Sequence, residues 1–351
     1  MQKSQRESSI YFTEKDIYDA LMSSKRTMTI PLIMELARDK GILLSSEDSR
    51  ETLVKYLSTL VYDYYDLNVL IDHITPSHKK EKSKVSKIDT KITSAQLKTI
   101  TKELAESSTT IQVTTDSDDS KKTILKIEYD EIDLSKTRLR QKIRKESVIE
   151  ITEEENSTKI SKPSNSAVDS IMSNIISAIE KKNDSTINEE KINLYNWEHE
   201  KIIEYFTTLI NSIQGCKLSD VIKVTVNNED NPEAEEDVLN LITNASFKGK
   251  GLLSTEEYQK LKTNGYYITS IVWISNETTK NGNIIEFEAS LSSSKNCDEV
   301  IFLAKGVYRF VEKDKYTSTR RPLNTEEIIK YTQYLEEAAL SVYSDLKPKE
   351  I

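Results

Sequence analysis

Glycine is scarce in this 351-residue chain: there are 7 in all, and only Gly41 precedes residue 215. Loops that cradle nucleotide phosphates need glycines at fixed spacing, and neither G-x-x-x-x-G-K-[ST] nor G-x-G-x-x-G occurs, so nucleotide binding of those kinds is not expected. Cys216 and Cys297 are too few and too far apart for a disulfide framework or a zinc cluster, and the three histidines are scattered at 73, 78 and 199. Catalysis by thiol, zinc or imidazole is therefore not expected, and no cofactor is implied. No apolar run approaches the roughly 18–20 residues that span a bilayer, and residues 1–10 lack the apolar core of a signal peptide. The expectation is a soluble, cytoplasmic chain with no membrane partner.

What the chain has in quantity is charge: 49 Lys and Arg against 58 Asp and Glu, 30% of all residues, with 36% hydrophobic. The distribution is uneven. Residues 1–145 carry 26 basic against 23 acidic residues, and residues 146–351 carry 23 against 35. Composition and periodicity divide the chain into a helical module over 10–74, a lysine-rich linker over 75–94, a small β-rich region over 95–160 and an α+β domain over 165–351. The fold class expected is α+β, with antiparallel strands and packed helices in the body.

In the module, Thr13 caps a helix through Ile17, Ala20 and Leu21. Pro31 opens a second helix that ends at Gly41, where a left-handed turn requires a residue without a Cβ. A third follows Asp48-Ser49-Arg50 with Leu53, Val54, Leu57, Leu60 and Val61 as its apolar stripe. Tyr62, Tyr64, Tyr65, Leu67, Leu70 and Ile71 extend the supply, as core filling or as rings for base stacking.

The segment LIMELARDKGILLSSEDSRETLVKYLS, residues 32–58, resembles a SAP-like or helix-extension-helix module. The resemblance covers about a tenth of the chain. It implies nucleic-acid binding, mostly of DNA, through Arg38, Lys40, Ser45, Ser49 and Arg50, with Lys25 and Arg26 flanking. Glu35, Asp39, Glu47 and Asp48 depart from that pattern and weaken phosphate affinity. Modules of this kind also dock proteins.

Residues 109–115 and 123–129 read as a hairpin around the DSDDSKK tip. Beyond it, Lys136, Arg138, Arg140, Lys142, Arg144 and Lys145 are six cations without an intervening acid. As a strand they line one face about 6.5–7 Å apart, near the phosphate spacing of a nucleic acid; as a helix, 136, 140 and 144 still share a face. The same cations suit a solvated edge strand or an acidic protein surface.

In the body, helices are expected over 167–182 and 188–214, a strand over 221–226, and a helix opening at Asn231-Pro232. A capping box at Ser254–Glu257 precedes strands over 266–275, 284–291 and 299–311 and a last helix from Thr325. Glu286 and Glu288 share a strand face and could hold a metal, but Lys305 and Arg309 are simpler partners. His199 reads as a surface residue. Arg320 and Arg321, near Lys313 and Lys315, suit an anion or the support of the last helix.

The function expected is a nucleic-acid-binding or adaptor protein without catalytic activity of its own, with DNA or another nucleic acid on the basic residues and a protein partner on the acidic C-terminal half. The alternatives are a nuclease-associated subunit of a microbial anti-phage or restriction assembly and a protein-interaction scaffold.

Overall fold

The computed structural model describes residues 12–74, 81–104, 110–115, 121–228, 244–293, 297–312 and 315–348. Ten α-helices and thirteen strands occur among them, a mixed α+β fold built on a large antiparallel sheet. The expected loop tip at 116–120, the helix expected at Asn231-Pro232, and Lys313 lie outside the described residues. The chain forms two compact units: residues 1–79, 105–111 and 127–147 make the smaller, and 80–104, 112–126 and 148–351 the larger. The expected β-rich region 95–160 is thus divided between the two.

The smaller unit contains α1 (Glu14–Ser23), α2 (Ile30–Asp39), α3 (Arg50–Ser58), α4 (Tyr64–Ile74) and the short α6 (Arg138–Gln141). Thr13 and Asp16 close a capping box at the start of α1, and Pro31 sits in the first turn of α2. Gly41 takes φ 75°, the left-handed conformation its position called for. Ser49 caps α3 by accepting from Thr52 N. Ile17, Leu21, Met28, Ile33, Leu53, Leu57, Leu70 and Leu139 meet in its core. Val61, expected in the stripe of α3, is instead 89% exposed, because the helix ends at Ser58 and leaves Val61 in the link to α4.

The larger unit departs most from expectation at its centre. Residues 83–88, assigned above to a linker, form β1 (Ser83–Ile88), which pairs along its length with β5 (Thr158–Pro163). It also meets β6 (Glu189–Lys191) and β11 (Val300–Tyr308). β10 (Ile284–Leu291) and β9 (Tyr267–Glu277) continue the sheet from β11, followed by β7 (Cys216–Asn227) and β8 (Asn244–Lys248). On the other side of β5 come β4 (Lys142–Glu153), β3 (Lys122–Ile132) and β2 (Thr110–Thr115). The hairpin pairing of β2 with β3 is as expected.

The long helix expected over 188–214 is shorter: α8 spans His199–Leu209. Asn196 has φ 62°, which interrupts helical geometry, and residues 189–191 are held as a strand on β1. α9 (Glu256–Thr263) is capped by Thr255 rather than Ser254. α10 (Thr325–Leu346) begins with a capping box between Asn324 and Glu327. α8 and α10 cover one face of the sheet, where Trp273, Phe287, Phe302, Tyr205, Phe206, Tyr331 and Leu335 form the main core. Ile328 and Ile329, near the start of α10, are over a third exposed. α5 (Ser94–Leu104) packs on α7 (Ser166–Asn183), and β12 (Phe310–Glu312) and β13 (Lys315–Tyr316) form a separate hairpin.

Candidate interaction surfaces

Two of the cations implied by the SAP-like resemblance have structural partners. Arg50 donates from one guanidinium nitrogen to Leu21 O at 2.9 Å and from the other to Met28 O, so it ties the start of α3 to the end of α1 and the turn after it. Lys40 donates to Asp66 at 2.5 Å and to Val61 O at 3.2 Å, and its ammonium lies over the Tyr62 ring. The hydrogen bond from Lys40 holds the Asp66 carboxyl below its ordinary range. Ser45 and Ser49 accept from the Glu47 and Thr52 amides. Lys25, Arg26 and Arg38 are exposed and meet no carboxylate among the described residues. Arg50→Ala should destabilise the smaller unit by about 2 kcal/mol, because two partly buried carbonyls lose charged donors. Far-UV circular dichroism should show this loss while tryptophan fluorescence stays unchanged, since Trp197 and Trp273 both lie in the larger unit.

The basic strip is not one continuous strand. Arg138 and Arg140 lie in α6, while Lys142 and Arg144 begin β4. Acids on and just after β3 meet these cations. Lys142 pairs with Asp130 at 3.0 Å, Arg144 with Glu128 at 2.7 Å, Lys145 with Glu131 at 2.7 Å and Lys136 with Asp133 at 3.6 Å. Arg138 reaches Asp16 at 3.3 Å. Arg140 is half-buried, with no acid partner among the described residues. The cations are thus split between a helix and a strand and are engaged largely in ion pairs. The signal was in the sequence, because the acids of EYDEID at 128–133 stand on the neighbouring strand.

Exposed apolar side chains concentrate in the smaller unit. Ile30, Leu43, Tyr56, Val61, Tyr64, Tyr65, Val69, Ile132 and Leu134 are nine of the fourteen large hydrophobics exposed among the described residues, though the unit is under a third of the chain. Leu43, Val61, Tyr64 and Tyr65 are 88%, 89%, 75% and 78% exposed. The contacts of Lys40 with Val61 and Tyr62 hold the end of α2 against the link that carries Val61. Tyr64 and Tyr65 stand edge to face, their ring centroids 5.7 Å apart. Of the tyrosines expected as core filling or as stacking rings, Tyr64 and Tyr65 face outward, while Tyr62 packs against the core and donates to Leu57 O at 2.8 Å.

In the larger unit the paired carboxylates have cation partners. Glu288 meets Lys82 at 2.6 Å and Lys305 at 2.9 Å, and Glu286 meets Arg320 at 2.5 Å and Lys305 at 3.6 Å. Arg320 takes the place expected of Arg309. Burial works to raise the Glu288 pKa, but hydrogen bonds from Lys82 and Lys305 hold it below the ordinary range. Arg321 forms a two-pronged pair with Glu327 in the first turn of α10, which supports that helix. The His199 Nδ1–H donates to Gly265 O at 2.8 Å, and the ring packs on Tyr267. Among the described residues no group of His, Cys, Asp or Glu is arranged to hold a metal ion, and no helix is long and apolar enough to cross a membrane.

No protein-family model matches this chain, and a comparison with curated proteins finds no match.

Proposed function

We propose that the chain is an adaptor without catalytic activity of its own, whose smaller unit docks a partner protein on the surface around Leu43, Val61, Tyr64 and Tyr65. The observation that carries this reading is the exposure of these four side chains beside a core that is already closed. Large apolar side chains exposed beside a closed core mark interaction surfaces, and tyrosine is favoured at the centre of protein interfaces. A second reading, contact with DNA or another nucleic acid, is favoured by the exposed and unpaired Lys25, Arg26 and Arg38 and by the helix-extension-helix order of α2 and α3.

Affinity capture with the full-length chain separates the two. The docking reading expects one protein to be retained in stoichiometric amount after nuclease treatment and lost with the double variant Val61→Asp, Tyr65→Asp. Capture abolished by nuclease, and by Lys25→Glu, Arg26→Glu, Arg38→Glu, would transfer the function to nucleic acid. In that case binding to labelled DNA should weaken steeply with salt, and changing Arg138, Arg140, Lys142 and Arg144 to Ala should leave it largely intact.

A further inference from the structure

Among the described residues β8 is an end strand of the sheet, paired with β7 alone. The register sets Lys248 opposite Lys223, Ser246 opposite Thr225 and Asn244 opposite Asn227. Just beyond β8, the Gly249 amide donates to Ile222 O at 3.1 Å. Hydrogen-bonded pairs alternate along an antiparallel ladder, so Lys223 and Lys248 form a non-hydrogen-bonded pair, the kind whose Cα atoms approach to about 4.5 Å. The hydroxyls of Thr225 and Ser246, 3.3 Å apart, fit the same assignment.

Two consequences follow from this register. Like charges stand at the closest cross-strand positions, an arrangement that destabilises a sheet. The backbone N–H and C=O groups of Asn244, Ser246 and Lys248 point away from β7, off an edge that no other strand covers among the described residues. Both lysines are exposed and neither meets a carboxylate among the described residues. Asp220, the acid on β7, has its Oδ1 engaged by the amides of Val221 and Gly251 at 2.8 and 2.9 Å. Elsewhere on this sheet Lys84, Lys87, Lys122, Lys162 and Lys305 meet acids, whereas the exposed Lys126 and Lys217 meet none among the described residues. Lysine on an edge strand discourages indiscriminate strand pairing, but Lys223 is on an interior strand, where that role does not arise.

We propose that the open edge of β8 receives an extended acidic segment of a partner protein as an added strand, with an acidic side chain seated against Lys223 and Lys248. Main-chain hydrogen bonds to the outward groups of β8 supply the attachment, and the lysine pair selects charge, as in other complexes formed by strand addition. This surface belongs to the larger unit and does not depend on the docking reading of the smaller one.

The test is fluorescence anisotropy of the full-length chain with a labelled peptide of alternating Glu and Val, beside a labelled single-stranded DNA. The wild type should bind the peptide, and Lys248→Glu should weaken binding about tenfold. The same substitution should raise Tm, because it turns a repulsive pair into an attractive one. Ser246→Pro should weaken binding similarly. It removes an outward N–H that β7 does not use, a position where an edge strand tolerates proline, and near-ultraviolet circular dichroism should confirm an intact fold. Absence of peptide binding by the wild type, unchanged binding by folded Ser246→Pro, or tighter binding of DNA than of the peptide would each overturn the proposal. Val61→Asp, Tyr65→Asp should leave peptide binding unaltered, which keeps this result separate from that of the smaller unit.

Discussion

Lys84→Met should lower the unfolding free energy of the larger unit by about 3 kcal/mol, the usual scale for removing one partner from a buried ionic network. Lys84 rises from the centre of the sheet between Asp169 of α7, at 2.8 Å, and Glu299, at 2.7 Å. Lys162, directly opposite on β5, reaches the other oxygen of Asp169 at 3.1 Å, and Lys191 reaches the other oxygen of Glu299 at 3.1 Å. The Lys162 side chain is only 5% exposed. Methionine fills similar volume, so the expected loss is electrostatic rather than a cavity effect. Burial works to raise the pKa values of both carboxyls, while hydrogen bonds from the lysines hold them below the ordinary range. Their stabilisation is therefore present above the unfolded values and lost as pH falls through the lowered folded values, and the variant should show a weaker acid-side decline. Urea unfolding followed by tryptophan fluorescence reads this unit directly; a loss under about 1 kcal/mol would mean that water screens the network as it does surface pairs.

Glu336→Gln should act in the opposite sense, stabilising the larger unit at pH 8 by about 2–3 kcal/mol. Glu336 lies in the middle of α10 with 1% exposure, and the Ser161 hydroxyl donates to its Oε1 at 2.8 Å. Burial pushes its pKa up to about 7, with Ser161 and Lys159 working against the rise and Glu150 adding to it. A carboxyl whose folded pKa is raised binds more protons folded than unfolded between the two values. Its contribution is fully present below the unfolded pKa and is lost as pH rises through about 7. Stability should therefore fall between pH 5 and pH 8 in the wild type and stay nearly flat in Glu336→Gln. Equal slopes in the two proteins would assign the dependence to another group. Together with the carboxylates of the Lys84 network, this places the stability maximum of the larger unit on the acid side of neutrality.

Local chemistry made the helices of the smaller unit legible. Thr13, Pro31 and Gly41 act within a few residues of themselves, and each does in the fold what its position implied. β1 was not legible, because its lysines resemble those of a solvated tether. What makes it a central strand is the set of acids that meets them, and Asp169 and Glu299 lie 85 and 215 residues farther along the chain. The partners of the basic strip lie nearer: most of the acids that meet it precede it by only a few residues, and a cross-strand register read from the hairpin brings them opposite. Arg50 was expected as a nucleic-acid contact, and its partners in the fold are backbone carbonyls, which carry no residue-type signal in the sequence.

The position of β1 also bears on how the protein is made. Ser83 stands opposite Phe302, so the Ser83 end of this flank waits for more than 200 further residues to be synthesised, while residues 86–88 on the same flank meet β6 at 189–191. At about 5–20 residues per second that interval is roughly 10–40 s. For that time Lys84 lacks Glu299 and the Ser83 end of the strand lacks β11. A translation stop before residue 300 would release a polypeptide whose central seam cannot close, making it a substrate for chaperones and proteases rather than a shorter working protein.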